Sequence, residues 1–237
     1  MPKCSTCSCG CGGEKYCASK VFIFSTLGLE QFEEISKLII TRKYKKGQSI
    51  FFEGDTWDKL YIINKGKIKV FKYTKEGKEQ ILYLLSEGDS IGELNLLKRG
   101  KFEFNGEALE DTSICTLSKE DFDNILINNP SITLKILEKV HDRVVNLEHL
   151  VQMLSTKDVE TRVGSLLLNL VEDFGHKEKE GIVIDLPINR EDMGNFAGIT
   201  RETVSRTLTS MEEAGVINIV GNKKIIIKDM EYLKDLI

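Results

Sequence analysis

The chain has 237 residues, 41% of them hydrophobic and 30% charged, with 33 Lys and Arg against 37 Asp and Glu for a formal net charge of -4. This apolar content supports one large core or two modest ones, and the acidic balance excludes a polybasic coat, so any nucleic-acid contact must come from a local patch. No run approaches the ~18–20 apolar residues of a membrane helix and the first residues lack the apolar stretch of a secretory signal, which leads us to expect a cytoplasmic protein without membrane contact.

Residues 1–20 form the first region. Five of the six cysteines, Cys4, Cys7, Cys9, Cys11 and Cys17, fall there, and only Cys115 lies elsewhere. The surrounding Gly, Ser and Lys residues are too small and polar to build a core. A reducing compartment keeps such thiols from pairing as disulfides, and their crowding suits a shared metal.

Residues 21–130 read as a β-rich sensor domain. An amphipathic helix is predicted from about Gly28 to Ile40, with Leu29, Phe32, Ile35 and Ile39 on its inner face. From about Tyr44 to Leu117, short runs such as Lys59–Ile63, Ile68–Phe71 and Gln80–Leu85 are rich in β-branched and aromatic residues, and glycines punctuate them. That pattern predicts an antiparallel roll, with Thr74–Lys78 as a hairpin turn.

After Pro130 the period becomes helical. Leu137, Val140, Val144, Leu147, Val151 and Leu154 follow one another at spacings of three, four, three, four and three, with polar residues between. A 3.5-residue repeat keeps one stripe facing a partner, so residues 131–155 are expected to be a dimerisation helix carrying these six residues at its interface. The chain is therefore expected to be a homodimer.

Residues 156–237 form the last domain. A helix is predicted from Val159 to Phe174, ended by Gly175 and the charged run His176 to Glu180, and a strand follows at Ile182–Leu186. Asn189 is placed to cap a helix that runs through Met193, Phe196 and Ala197 to a turn at Gly198, with Asp192 helping the cap. Thr200 caps a second helix, whose buried stripe is Val204, Leu208 and Met211. Arg201, Glu202, Ser205, Arg206 and Thr209 project elsewhere.

Two helices joined by a glycine-bearing turn, the second with arginines and a glutamate near its start, match a helix-turn-helix whose second helix enters the major groove. The residue types suit base reading. Arginine donates bidentately to guanine, glutamate accepts from cytosine N4, and a serine hydroxyl serves either kind of edge. Val216–Val220 and Lys224–Ile227, flanking Gly221–Asn222–Lys223, predict a β-hairpin wing whose tip lysine, Lys223, meets phosphate. Residues 157–237 hold 11 Lys and Arg against 15 Asp and Glu. A reader of base edges needs local rather than net charge. His141, His149 and His176 stand without an accompanying nucleophile, so no enzyme is expected.

The order of roll, long helix and winged helix-turn-helix resembles the CRP/FNR transcription regulators over about residues 21–230. The fold class this implies is α+β: an N-terminal cyclic-nucleotide-binding-like β-roll, a long dimerisation helix and a C-terminal winged helix-turn-helix. Ile199–Arg206 resembles the family's recognition helix, in which the residues at Glu202 and Arg206 read a TGA core. Ser205 is the FNR-type choice, and Arg201 is what cAMP-receptor proteins carry. The resemblance implies double-stranded DNA as partner, with half-sites like TTGAT or TGTGA in a palindrome, and RNA polymerase as a further partner.

Gly92–Glu93–Leu94 resembles the start of the family's phosphate-binding cassette. Where cyclic-nucleotide binders place an arginine and a serine or threonine, this chain has Glu103–Phe104, which cannot neutralise a phosphate. Lys98, Arg99 or Lys101 would substitute only by rearrangement, so cAMP is not the expected effector. Ala108–Cys115 instead resembles the FNR segment that delivers the fourth ligand of an oxygen-sensitive 4Fe-4S cluster. Cys4, Cys7, Cys11, Cys17 and Cys115 are the candidate ligands. The usual FNR gaps of two and then five residues are split here between Cys4–Cys7 and Cys11–Cys17, and Cys9 is the most redundant thiol. Either three terminal thiols join Cys115 or four bind without it, and zinc is the alternative metal. A small-molecule effector in the roll, with the cysteines peripheral, is the alternative mode of control. Leu147 stands where FNR carries an acidic residue that tunes association, which implies a dimer even without metal.

Overall fold

The computed structural model describes residues 21–92, 100–179 and 181–236. The chain divides into two compact units, Met1–Lys72 with Tyr83–Val145, and Tyr73–Leu82 with Asn146–Ile237. Among the described residues no helix is long and apolar enough to cross a membrane.

Among the described residues the first unit begins with a 3-10 turn, Phe22–Phe24, and helix α1, Leu29–Leu38. Phe32 and Ile35 are buried and Ile39 is partly so. The helix stops two residues earlier than its apolar period suggests, because Ile40–Tyr44 pairs as strand β1 with β10, Thr112–Ser118. Its β-branched start suits extended backbone, and pairing with five residues of β10 outweighs one more turn of helix.

The other strands of the roll are β2 (Ser49–Phe51), β3 (Thr56–Trp57), β4 (Lys59–Lys65), β5 (Ile68–Tyr73), β6 (Glu79–Leu85), β7 (Ser90–Ile91), β8 (Gly100–Lys101) and β9 (Asn105–Ala108). They form two four-stranded sheets, β1-β10-β4-β7 and β2-β9-β5-β6, and a small pair, β3-β8. β10 is central and buried along nearly its whole length.

The interior of the roll is occupied by aromatic rings. Phe102 lies between Phe51 at 4.2 Å and Trp57 at 3.9 Å, nearly parallel to both, and Phe104 meets Trp57 edge-on at 5.4 Å. These are offset-stacked and T-shaped geometries that aromatic quadrupoles favour. Gly106 is required beside them, since a Cβ there would overlap the Phe51 ring.

Helix α2, Lys119–Asn128, follows β10 directly and was not anticipated from the sequence. Its signal was present: the Ser118 hydroxyl accepts from the Asp121 N–H at 3.2 Å, an N-cap directly before an acidic first turn. Helix α3, Pro130–Ser155, starts on a proline, whose missing N–H costs nothing at that position.

The second unit contains α4 (Val159–Phe174), β11 (Gly175–Glu178), β12 (Gly181–Asp185), α5 (Arg190–Ala197), α6 (Arg201–Glu213), β13 (Ile217–Val220), β14 (Lys224–Ile227) and α7 (Met230–Asp235). The strands pair antiparallel in the order β11-β12-β14-β13. His176–Glu178 is thus an edge strand paired with Gly181–Val183 rather than the charged loop its composition suggests. An edge strand with polar faces carries no apolar alternation to betray it. The core of this unit is Val163, Leu166, Leu167 and Leu170 of α4, with Met193, Phe196, Val204, Leu208 and Met211 from the next two helices.

Candidate nucleic-acid interface and cysteine site

Helix α5 begins where the Asn189 side chain accepts from the Glu191 and Asp192 N–H groups at 2.8 and 2.9 Å. It ends at Gly198, left-handed at φ 67°, whose N–H donates to the Gly194 carbonyl. A Cβ at Gly198 would stand 2.9 Å from the end of the Leu154 side chain, which would have to shift, and the left-handed conformation is what favours glycine here. Thr200 then caps α6, accepting from the Thr203 N–H at 3.2 Å. Buried Val204, Leu208 and Met211 fix the rotation of α6. Each such side chain contributes roughly 1.5–3 kcal/mol by burial.

That rotation turns Arg201, Glu202, Ser205, Arg206 and Thr209 to solvent. By the helical period they span an arc of about 140° on one side of the helix. Behind α6 the hairpin β13–β14 is tied to it: the Glu212 carboxylate accepts from the Ile219 N–H at 2.6 Å, and the Met211 carbonyl accepts from Val216 N–H at 3.0 Å. Lys223 is exposed at the hairpin turn, whereas Lys224 pairs with Asp185 at 3.5 Å. Burial lowers the Arg190 guanidinium from its ordinary range. Asp158, which caps α4, is held below the usual carboxylate range by the hydrogen bond from the Thr161 side chain.

Helix α3 has two apolar faces. Ile132 and Ile136 are buried in the core of the first unit, and Leu150 and Met153 are also buried. Among the six residues at heptad spacing, Leu137, Val144, Leu147 and Val151 are 45–63% exposed in the single chain, while Val140 and Leu154 are partly buried. A contiguous exposed stripe of this kind on a long helix is what a partner helix covers. Beside this stripe the first unit holds α3 through Lys139, whose ammonium donates to Ser90 Oγ at 3.2 Å, and Arg143, which donates to the Ser90 carbonyl at 2.6 Å.

Cys115 is fully buried on β10, in the core cluster, with its Sγ 3.4 Å from the Thr41 hydroxyl. Cys4, Cys7, Cys9, Cys11 and Cys17 lie outside the described residues, as do Glu93, Leu94, Lys98 and Arg99. Among the described residues no three His, Cys, Asp or Glu side chains converge, so a metal site at Cys115 would need donors from outside them, for which the terminal cysteines are the candidates. Such a set is all sulfur, which suits iron–sulfur or zinc chemistry. Glu103 is exposed and Phe104 belongs to the aromatic cluster, so these two positions offer no cation to a phosphate. Lys101 is exposed on β8.

Two family models match the chain, a cyclic nucleotide-binding domain over residues 41–129 and a Crp-like helix-turn-helix domain over residues 161–236. Electron transport regulator A of Shewanella oneidensis is 30% identical over 209 residues, covering 88% of this chain and 83% of that protein. The chain belongs to the CRP/FNR family of transcription regulators. The fumarate and nitrate reduction regulatory protein of Escherichia coli K12 is 28% identical over 219 residues, covering 92% of this chain and 87% of its own. FixK2 of Bradyrhizobium japonicum has the same fold, with a TM-score of 0.74 at 23% identity over 84% of this chain and 96% of its own. As a CRP/FNR regulator the chain is a DNA-binding protein rather than an enzyme; members of this family bind DNA through the helix-turn-helix and act as dimers.

Arg162, Lys139 and Arg143 are the structurally engaged residues that sequence reading passed over. Each looks like a solvated charge on a helix, and only the partners brought by the fold distinguish it.

Proposed function

We propose that this CRP/FNR regulator senses oxygen or redox state through a 4Fe-4S cluster held by three of the terminal cysteines and Cys115, and transmits that state to a palindromic DNA site. The observation that carries the reading is the distribution of sulfur, five thiols gathered at one terminus and the sixth buried on β10. A bound cluster supplies a centre that oxidants dismantle. The names of the relatives, which concern anaerobic regulation and electron transport, support the same direction.

The chain's own residues supply the route from that terminus. Val21, Ile23 and Phe24, which immediately follow the cysteine-rich segment, are buried in the same core as Ile132 and Ile136 of α3. Thr26 Oγ1 lies 3.2 Å from Ser131 Oγ, the Gln31 amide donates to Asn129, and the Lys135 ammonium sits 4.8 Å from the centre of the Phe22 ring. A change in the terminus therefore bears on the first turns of the dimerisation helix. Leu147 on the exposed stripe favours a dimer in both states, so the switch acts on helix orientation or DNA affinity.

Purification under anaerobic conditions, followed by visible absorption and by iron and acid-labile sulfide assays, tests the cofactor. Iron and sulfide approaching four per chain, with a chromophore bleached by air, is the expected result; a colourless protein with stoichiometric zinc overturns it.

At the DNA end, we infer that Arg201, Glu202, Ser205 and Arg206 read base edges, with Thr200 and Lys223 meeting the backbone and RNA polymerase engaged elsewhere on the molecule. Arg206→Ala is expected to weaken binding to the preferred duplex by about 1–3 kcal/mol and to relax preference at a single base pair. Fluorescence anisotropy on duplexes substituted at each half-site position checks it, and unchanged affinity removes Arg206 from the reader.

A further inference from the structure

We propose that Arg162 is a positioning residue for DNA binding: by holding the turn of the helix-turn-helix to the last turn of α3, it sets the half-site spacing that the dimer accepts. Four hydrogen bonds leave this one guanidinium. Its Nε donates to the Thr156 carbonyl at 2.6 Å and its Nη2 to the Leu154 carbonyl at 3.0 Å. Its Nη1 lies 3.4 Å from the Ala197 carbonyl and 3.3 Å from that of Gly198.

These acceptors belong to two helix C-termini. Leu154 is in the last turn of α3, and Thr156 directly follows that helix. Ala197 ends α5, and Gly198 is its cap. Terminal carbonyls have no partner within their own helix and carry the negative end of its dipole, so a cation there is favourable at both ends at once. Only a planar fork with several fixed donors serves two such ends from a single side chain. A lysine ammonium offers a point charge without that geometry.

Packing reinforces the link. Leu154, the last of the six heptad positions on α3 and partly buried, lies so close to Gly198 that a Cβ there would crowd its side chain. Arg162 is itself seated in the first turn of α4, where its N–H donates to the Asp158 carbonyl at 3.3 Å. Recognition helix α6 begins only three residues after Gly198. The entry of α6 is thereby referenced to the end of the helix that bears the dimer stripe.

In a two-fold dimer the same error occurs in both subunits, so any looseness at Arg162 counts twice in the separation and rotation of the two recognition helices. One base pair of added spacing shifts a half-site by about 3.4 Å and turns it by about 36°, which a rigid dimer cannot follow without losing contacts. Loss of the clamp is therefore expected to cost spacing selectivity before it costs base selectivity.

The experiment uses the full-length dimer. Wild-type protein first selects its preferred palindrome from a randomised duplex pool. Affinities are then measured on that duplex and on versions with one base pair added or removed between the half-sites. Wild type is expected to prefer its own spacing by about tenfold or more, and Arg162→Gln to bring the ratio within about threefold, with the ranking of base substitutions inside the half-site unchanged. A ratio that stays at the wild-type value overturns the proposal, as does an equal loss of affinity on every spacing, which is the mark of a merely structural role. Circular dichroism and sedimentation confirm a folded dimer. Should the glutamine variant unfold, Arg162→Lys, which keeps the charge but not the fork, is read by the same ratio and the same criteria. The outcome is independent of which metal the cysteines hold.

Discussion

The Leu147→Asp protein is expected to sediment as a monomer at micromolar concentration and to bind the selected palindrome at least ~1000-fold more weakly than wild type. Leu147 lies on the exposed stripe of α3 between Val144 and Val151, all three 45–63% exposed in the single chain. In a two-fold interface each copy presents the same residue, so one substitution introduces two carboxylates into the seam. The desolvation penalty of an unpaired buried ion is several kcal/mol, and mutual repulsion adds to it. The substitution leaves the buried residues of α3, Ile132, Ile136, Leu150 and Met153, untouched, so each chain is expected to keep its fold. Circular dichroism of the variant checks this, and sedimentation checks assembly. Metal-stripped wild type run in parallel is expected to remain dimeric; a wild-type monomer in that state would place the switch in assembly instead.

Cys115→Ala is expected to abolish cluster retention while leaving the protein folded. Removing a ligand from a metal site lowers metal affinity by at least about 10–100-fold, the range already seen when outer-shell partners are lost. The structural cost is small by comparison, about 0.5–1.5 kcal/mol, since the change deletes one buried atom of methyl size. Cys115 is fully buried, and its nearby hydroxyl, Thr41 Oγ1, belongs to a partly exposed residue on an edge strand outside the core cluster, so no orphaned polar group is created in the core. The measurements are iron and sulfide per chain after anaerobic purification, thermal unfolding, and DNA affinity with and without air. Full iron content in the variant would remove Cys115 from the ligand set and favour a site built from the terminal cysteines alone.

The helices with strong periodicity were legible because their burial patterns are local. Val204, Leu208 and Met211 recur at helical spacing, and the caps at Asn189 and Thr200 sit one residue before their helices. The aromatic filling of the roll was not legible, because Phe102 is distant in sequence from Phe51 and Trp57 and meets them only when β8 pairs with β3. Strand β11 was missed for a related reason: it is held by pairing with β12, which charge composition does not report.

Sequence alone determined the order of modules, the heptad stripe on α3, the residues that face outward on α6 and the gathering of thiols at one terminus. Each is a matter of spacing along the chain, where a period of 3.5 or 3.6 residues fixes which side chains share a face. Tertiary structure decided what those faces meet. It buried Cys115 in the core of the roll, carried Lys139 and Arg143 from α3 to Ser90, and aimed Arg162 at the ends of two helices. A long cationic side chain reads the same in sequence whether it is solvated or clamped, because the carbonyls that engage it come from segments whose proximity is set only when the helices pack.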